Sequence, residues 1–190
     1  MKKILISIRP KWVEKIASGE KTIEVRKSAP QEAPFKAYIY ETKESKMRYL
    51  NDRFNSFFSG KSCYTDMGKV IGEFVCNKTE RFSVGSLRSD DIEKLACLSY
   101  NEMIFYFYKP EELDGKTAKQ GFAWHISDLK IYDKPKELSE FYRICKNPCK
   151  PSNGKILCIT TKSLKMNGCD GKIHLTRPPQ TYMYVEEVEQ

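Results

Sequence analysis

A short segment near the start of the chain, residues 4 to 27, constrains the fold more than any other part of the sequence. Its letters, ILISIRPKWVEKIASGEKTIEVRK, predict a strand, a short helix, a tight turn and a second strand. Pro10 suits the first turn of the helix, and Gly19 suits a left-handed cap that ends it. A helix this short gains most of its stability from packing, so we expect it to lie against the two strands.

The second strand of this segment gathers polar side chains on one face. Thr22, Glu24 and Arg26 alternate with apolar residues, and Lys21 stands at the start of the strand. The arginine can form bidentate hydrogen bonds with a phosphate or with the edge of a purine, and the carboxylate can accept a hydrogen bond from an amino group of a base. The lysine adds a point charge for phosphate. We therefore predict that Lys21, Glu24 and Arg26 form the floor of a binding site.

Two other roles for this group stay open. Lys21 as a base, or Glu24 as a general acid or base acting on a water molecule, would make the group catalytic, and both need tuned pKa values in a cleft. Alternatively, Glu24 and Arg26 pair with each other and serve only the fold.

The remaining patterns predict a sheet protein with few helices. Residues 35 to 41 alternate strictly, and residues 69 to 84 read as one long strand in which Gly72 indicates a bulge or bend. Residues 121 to 133 read as a strand with a bulge near its middle. Helices are predicted at about 89 to 98, 100 to 108 and 135 to 142, with a strand as the alternative for the aromatic run at 100 to 108. Because most strands are too closely joined for regular βαβ crossovers, we expect an α+β fold, a mixed, mainly antiparallel barrel with peripheral helices.

Two segments interrupt this strand pattern, at about 42 to 67 and 144 to 175. The first interleaves basic and aromatic residues, which suits either a nucleic-acid contact or an amphipathic helix that packs its phenylalanines on the barrel. The second is rich in Lys, Gly, Asn and Cys and is predicted to be loop. At 190 residues the chain fits one domain that carries both insertions.

Four cysteines at the second insertion raise the possibility of a structural zinc site. They are Cys145, Cys149, Cys158 and Cys169, with His174 nearby. Only the first pair has the spacing of a zinc knuckle. A zinc ion would order a loop-rich segment, and the alternative is a set of free thiols at the surface. No other cofactor is indicated.

The net charge indicates which kinds of molecule the protein binds. A formal net charge of +8 favours anionic partners, with nucleic acid first, although a basic but inert surface is the alternative. No run of about 18 apolar residues is present, so we expect no membrane-spanning helix. The apolar stretch after the basic start is too short for a signal-peptide core. We therefore expect a cytoplasmic protein whose cysteines are mostly reduced; protein partners are not indicated.

A second candidate set lies near the C-terminus. A double proline fixes an extended approach to a last strand. On that strand Gln180 could present its amide to a base and Tyr182 could stack on one, beside the charge of Arg177. Tyr40 and Trp124 are candidates to line the same cleft, and packing in the core is the alternative for each. The alternative is that this strand only closes the barrel.

Four stretches, taken in order, resemble the ASCH domain family, relatives of the PUA RNA-binding fold. The pattern SI-x-P…I-x-x-GEKTIE-x-R from Ser7 to Arg26 is close to the family signature, and GKVIGEF at 68 to 74 looks like its central strand. AWHISDLKIYDKPKELSEF at 123 to 141 resembles a later strand and the loop after it, and the closing TRPPQTYMYV resembles its C-terminal strand. The resemblance implies a PUA-like barrel with a cleft beside the first helix and the second strand.

The same resemblance implies a regulatory module that binds RNA or a nucleotide. A few members of the family hydrolyse amide groups of acylated cytidines or cut RNA, and the amidohydrolases use a Lys, a Thr three positions on, and a distant Glu. Lys21 matches the Lys, but Glu24 stands where the Thr would be, and the distant Glu is not placed. We therefore expect recognition rather than catalysis, with a hydrolase acting on a modified nucleoside, or a ribonuclease, as the alternative.

Overall fold

The secondary structure is mostly strand in a computed structural model that describes residues 1–43, 68–112, 117–145, 155–158, 163–166 and 171–188. The helices are α1 (Pro10–Ala17), α2 (Leu87–Leu95) and α3 (Tyr100–Phe107). The first strands are β1 (Lys2–Ile8), β2 (Ile23–Arg26), β3 (Phe35–Glu41), β4 (Val70–Cys76), β5 (Thr79–Ser83), β6 (Gln120–His125) and β7 (Ser127–Lys136). They are followed by β8 (Phe141–Ile144), β9 (Lys155–Cys158), β10 (Ser163–Met166), β11 (Lys172–His174), β12 (Tyr182–Tyr184) and β13 (Glu186–Glu187).

A five-stranded sheet with the order β12-β1-β3-β4-β7 organises the described structure. Strands β1 and β3 are parallel, with Ile4 opposite Ala37 and Ile6 opposite Ile39. The other ladders of this sheet are antiparallel, as are those of the smaller sheets β2-β6-β5, β11-β8-β13 and β10-β9. The prediction of a mixed, mainly antiparallel α+β fold with peripheral helices is confirmed.

The two faces of the five-stranded sheet bury different sets of residues, because side chains alternate along each strand. The first cluster, on one face, contains Ile4, Ile6, Ala37, Ile39, Phe74 and Trp124. The second cluster, on the other face, contains Leu5, Tyr38, Tyr40, Val70, Phe141 and Val185. The alternation predicted for residues 35 to 41 is therefore confirmed.

The helices α2 and α3 pack on the small sheet that contains β2. Met103 and Phe107, one turn apart on α3, are buried in a third cluster with Ile23 and Val25 of β2. Because neighbouring side chains of a strand point to opposite faces, Glu24 lies on the other face of β2 from Ile23 and Val25, the face that it shares with its cross-strand neighbour Trp124. The helix predicted at 100 to 108 is confirmed.

Two predicted strands are each divided in the structure. The segment from 69 to 84 forms β4 and β5, which belong to different sheets. The segment from 121 to 133 falls into β6 and β7, separated by Ile126, and Asp128 has a left-handed backbone with φ of 47°. The irregularity lets Trp124 and Ile131, which have opposite phases in the sequence, pack on the same first cluster.

Other boundaries also differ from the predictions. The helix expected at 135 to 142 is a single 3-10 turn, Leu138–Glu140, and the segment from 144 to 175 contains β9, β10 and β11. The insertion predicted at 42 to 67 lies outside the described residues from 44 onwards. No helix within the described ranges is long and apolar enough to cross a membrane.

The irregularity predicted at Gly72 is confirmed, because the register between β4 and β7 shifts between Val70 and Gly72. A Cβ atom at Gly72 would lie 2.6 Å from the carbonyl oxygen of Lys130 and 3.1 Å from Cδ1 of Ile131. The nearer atom belongs to the backbone of the neighbouring strand, so it cannot rotate away.

We predict that Gly72→Ala lowers the free energy of unfolding by about 2 kcal/mol, the usual range for overpacking, as measured by urea unfolding. Adding Ile131→Val, which trims the second-nearest group, should not restore the loss. Full rescue by Ile131→Val would show that the backbone carbonyl is not the obstacle.

A carboxylate on β4 connects three strands of the central sheet. Glu73 accepts hydrogen bonds from Lys36 Nζ at 2.7 Å and from the Tyr132 hydroxyl at 2.6 Å. Burial acts to raise the pKa of Glu73, but the two hydrogen bonds outweigh it and hold the pKa below its ordinary value of 4.5. The bonds therefore stabilise the folded state most fully above pH 4.5.

We predict that Glu73→Gln lowers the free energy of unfolding by about 1–2 kcal/mol near neutral pH. The difference from the unmodified protein should shrink as the pH falls below 4.5 and through the lower folded pKa, because the carboxyl is then protonated in both states. Urea unfolding at a series of pH values measures this. Glu32→Gln, at an exposed pair with Lys2, is the control. If the loss of unfolding free energy in Glu73→Gln did not depend on pH, the ionised Glu73 carboxylate would not be its cause.

Candidate functional site

Three charged side chains form a buried ion cluster on β2 and the turn before it. Oε2 of Glu24 lies 3.3 Å from Nζ of Lys21, and Oε1 of Glu24 lies 2.9 Å from Nε of Arg26. The exposed fractions of Lys21, Glu24 and Arg26 are 3%, 7% and 8%. The structure thus brings together the three residues that the sequence predicts to share a site, with two cations around one carboxylate.

Lys21 is surrounded by acceptors. Its Nζ donates to the carbonyl oxygens of Ile23 at 2.8 Å and Ala96 at 2.9 Å, in addition to the contact with Glu24. These three acceptors match the three N–H bonds of an ammonium group. Ala96 directly follows α2, so the cation also meets the negative end of that helix dipole. This geometry favours a positioning role for Lys21 over that of a base, which needs a free lone pair.

Arg26 connects β2 to two other parts of the chain. Its Nη2 donates to the carbonyl oxygen of Ser7 at 2.7 Å, and its Nη1 lies 3.4 Å from the carbonyl oxygen of Thr181. The Ser7 hydroxyl in turn donates to the carbonyl oxygen of Pro179 at 2.7 Å. The segment that precedes β12 therefore lies against the ion cluster.

This segment carries the second set of predicted site residues. Arg177 and Gln180 are both exposed, and Gln180 lies between the two residues whose carbonyls contact Ser7 and Arg26. The structure therefore places Gln180 beside the cluster and leaves its side chain accessible to a ligand.

Tyr182 and Trp124 differ in accessibility. Tyr182 is half-buried, its hydroxyl donates to the carbonyl oxygen of Ala29 at 3.1 Å, and burial raises its pKa. Trp124 is fully buried and packs edge to face against Phe35 and Tyr182, with ring centroids 5.2 Å and 5.6 Å apart. Trp124 therefore lies in the core beneath the site, and Tyr182 lies at its border.

The structure does not bring Tyr40 to the ion cluster. Tyr40 is 5% exposed and lies in the second cluster, on the opposite face of the central sheet from Trp124. Burial raises its pKa, and the charge of Glu137 adds to the effect. The strict alternation of side chains along β3 explains this placement. Ile39 packs in the first cluster, so its neighbour Tyr40 must lie on the other face.

Trp12 borders the cluster on the α1 side. Nζ of Lys11 lies 4.5 Å and Nζ of Lys21 5.6 Å from the centroid of its ring, distances at which cations are attracted to the ring. Trp12 also packs against the first cluster. It therefore links the hydrophobic core to the charged site.

Tyr106 borders the cluster on the α3 side, and the sequence did not predict it as a site residue. Nζ of Lys27, the residue after β2, lies 5.2 Å from the Tyr106 ring centroid. Burial raises the pKa of Tyr106, while the guanidinium of Arg26 opposes and the carboxylate of Glu24 adds to this effect. Both charged groups therefore act on its hydroxyl. One feature of the sequence is consistent with this position. Tyr106 is one helical turn from Glu102, and Glu102 pairs with Lys11 of α1 at 2.8 Å.

The predicted zinc ligands lie mostly outside the described residues. Cys145 is buried at the end of β8, whereas Cys149, Cys169 and the side chain of Cys158 are not among the described parts of the chain. His174 is described, and its Nδ1 lies 2.9 Å from the carbonyl oxygen of Ser139. Among the described side chains no group of three metal-binding residues occurs. The zinc site stays a prediction, and metal analysis of the purified protein tests it.

Comparison with known proteins identifies the fold. No family model and no curated protein sequence matches the chain. Among solved structures, that of ASCH from Zymomonas mobilis matches with a TM-score of 0.55 and 19% identity, covering 99% of this chain and 99% of that chain. A point mutant of the same protein matches with a TM-score of 0.56 and 19% identity, covering 97% of this chain and 89% of that one.

The chain has the ASCH fold. At 19% identity the similarity concerns the fold, so the roles of individual residues rest on their contacts. The α+β class expected from the sequence is confirmed. Within the ASCH fold of this chain, the signature segment supplies α1, β2 and the ion cluster.

We predict that Lys21→Met lowers the free energy of unfolding by about 3 kcal/mol, because it removes one of the two cations around the buried Glu24 carboxylate and leaves the Ala96 carbonyl without its hydrogen-bond donor. Methionine keeps much of the lysine's volume, so packing changes little. Lys15→Met is the matched control, since Lys15 pairs with Glu20 at the surface and such pairs contribute about 0–1 kcal/mol. Urea unfolding measures both, and equal effects would contradict a buried role for Lys21.

Proposed function

We propose that this protein is a regulatory module that binds RNA or a nucleotide on the face around the ion cluster. The observation that carries the proposal is the position of Gln180, exposed on a segment whose neighbouring carbonyls are bonded to Ser7 and Arg26. This side chain is presented to solvent at the edge of a site whose charged groups are already held in place. Preorganisation of this kind lowers the entropic cost of binding.

The chemistry of the surrounding residues supports a nucleic-acid ligand. Arg177 can form paired hydrogen bonds with a phosphate, and the amide of Gln180 can pair with the edge of a base. Tyr182 supplies an aromatic ring beside this segment, and bases stack on such rings. The net charge of +8 adds a long-range attraction for polyanions.

The contacts of Lys21 support binding over hydrolysis. An amidohydrolase or nuclease that used Lys21 as its base would need a lone pair on Nζ, and the three acceptors around Nζ match the bonding of an ammonium ion. The carboxylate of Glu24 cannot serve as the hydroxyl nucleophile expected at this position of the signature. We therefore propose that the group recognises its ligand without cleaving it.

The proposal predicts that the protein binds short single-stranded RNA with an affinity that falls as salt increases, because each phosphate contact releases counterions. Arg177→Ala should weaken binding of RNAs of different sequence about equally and reduce the slope of log affinity against log salt by about 1. Fluorescence anisotropy with labelled RNA over a salt series measures both quantities.

Lys134→Ala is the matched control, because Lys134 is an exposed cation on β7, at the opposite edge of the central sheet from β12. It should change the slope less than Arg177→Ala does. Equal losses from both variants would indicate a diffuse electrostatic surface, and no binding at low salt would overturn the proposed function. Release of product from RNA or from an acylated cytidine would favour the hydrolase instead.

A further inference from the structure

A cleft that is separate from the ion cluster lies between the β12 edge of the central sheet and the small sheet β11-β8-β13. Its volume is about 460 Å³, within the range of roughly 300–1,000 Å³ that is usual for small-molecule sites. Met183 and Val185, which contribute to its lining, pack with the second cluster. The described lining shares no residue with the proposed RNA-binding face.

The walls of this cleft are mostly apolar. Met183 and Val185 line one side, and Ile173 of β11 lines the other. At the rim, Ile144 is 66% exposed and Tyr184 is 45% exposed. Grouped apolar side chains that remain exposed on a folded protein often mark a binding site, and an apolar ligand body that covers them would be stabilised by the hydrophobic effect.

Arg143 introduces a cation into this apolar wall. Phe141 and Cys145, two residues before and two after it, are both buried, and side chains two residues apart share one face of a strand. Ile173, which is directly opposite Arg143 in the ladder between β8 and β11, also lines the cleft. Arg143 therefore lies on the inward face of β8, and it is exposed because the cleft opens there.

Arg143 also differs from the other cations of the cleft in its charge balance. Lys3 pairs with Glu186 at 3.1 Å, and Lys2 pairs with Glu32 at 2.8 Å, so both ammonium groups are compensated. Within the described ranges, Arg143 forms no ion pair. Since a charge beside apolar walls is screened less than one in bulk water, this guanidinium favours a ligand that carries a negative charge.

These features together select a carboxylate with an apolar body. A guanidinium forms paired hydrogen bonds with a carboxylate, and one negative charge balances the one unpaired cation. A nucleobase would instead turn polar edges towards Met183, Val185 and Ile173, and a buried polar group without a partner is costly. An alkyl chain or an unsubstituted aromatic ring has no polar edge and avoids this cost.

We propose that this cleft binds a small amphipathic carboxylate, with the carboxylate on Arg143 and the apolar body against Met183, Val185 and Ile173. A medium-chain fatty acid and an aromatic acid are two sources of this chemistry. The inference goes beyond the proposed RNA-binding function and does not depend on it, because the two sites have different residues.

The test is isothermal titration calorimetry of the full chain with octanoate, 2-naphthoate and octan-1-ol. At least one carboxylate should bind about tenfold more tightly than the alcohol, the difference expected of a charged hydrogen-bonded pair. Its affinity should fall as the salt concentration increases. The tighter of the two acids identifies the body as alkyl or aromatic. Uridine monophosphate should not displace the bound acid.

Substitutions separate the charge from the apolar wall. Arg143→Gln should weaken the carboxylates about tenfold and leave octan-1-ol within about twofold. Lys172→Gln is the matched control, because Lys172 is opposite Ile144 on the same small sheet but lies over the ring of Tyr142, outside the cleft. Ile173→Ala should weaken the acids and the alcohol alike, about fivefold. Circular dichroism and melting curves establish that each variant is folded.

The comparison of acid with alcohol tests the inference without any variant. Carboxylate binding that is lost selectively in Arg143→Gln supports it. Absence of binding by both acids, equal affinity for acid and alcohol, or a folded Arg143→Gln variant with normal affinity overturns it. Displacement of the acid by uridine monophosphate overturns the assignment of the ligand class. The proposed function fails separately, when RNA does not bind at low salt.

Discussion

The charge of Glu24 is the constraint on which the arrangement of this fold depends. Two buried cations would each carry a desolvation cost of several kcal/mol, and Glu24 offsets both because it lies between them. Once Lys21 and Arg26 are compensated, their remaining donors bond to the carbonyls of Ala96, Ser7 and Thr181. A single carboxylate thereby allows α2, β1 and the segment before β12 to meet at one place.

The alternation of β2 and β3 made part of this arrangement predictable. A strand with period two must present Glu24 and Arg26 on one face, and the same rule predicts that Tyr38 and Tyr40 face away from Ile39. The partners of the cluster were not predictable, because they are backbone carbonyls, which every residue has. Which carbonyls meet the cluster depends on how distant segments pack, as at Ala96. The type of residue does not reveal this packing.

The position of the Tyr106 side chain could not be predicted from the sequence either. The helical period predicts that Met103 and Phe107 lie on one face, since they are four residues apart, and the structure buries both. Which neighbouring face meets β2 depends on how α3 packs in the third cluster, where Met103 and Phe107 meet Ile23 and Val25 from a distant part of the chain. Likewise, the division of 121 to 133 into two strands follows from the sheets that each half joins.

The contacts that complete the cluster join residues very far apart in the chain. Arg26 and Thr181 are 155 residues apart, and Ser7 and Pro179 are 172 apart. Closing such long loops costs more entropy than local contacts do, and non-local pairing slows folding. Arg26 therefore gains its bond to Thr181 only when the two ends of the chain have come together. The ion cluster is therefore complete only when β12 is paired with β1, because Pro179 and Thr181 reach Ser7 and Arg26 from the segment that precedes β12.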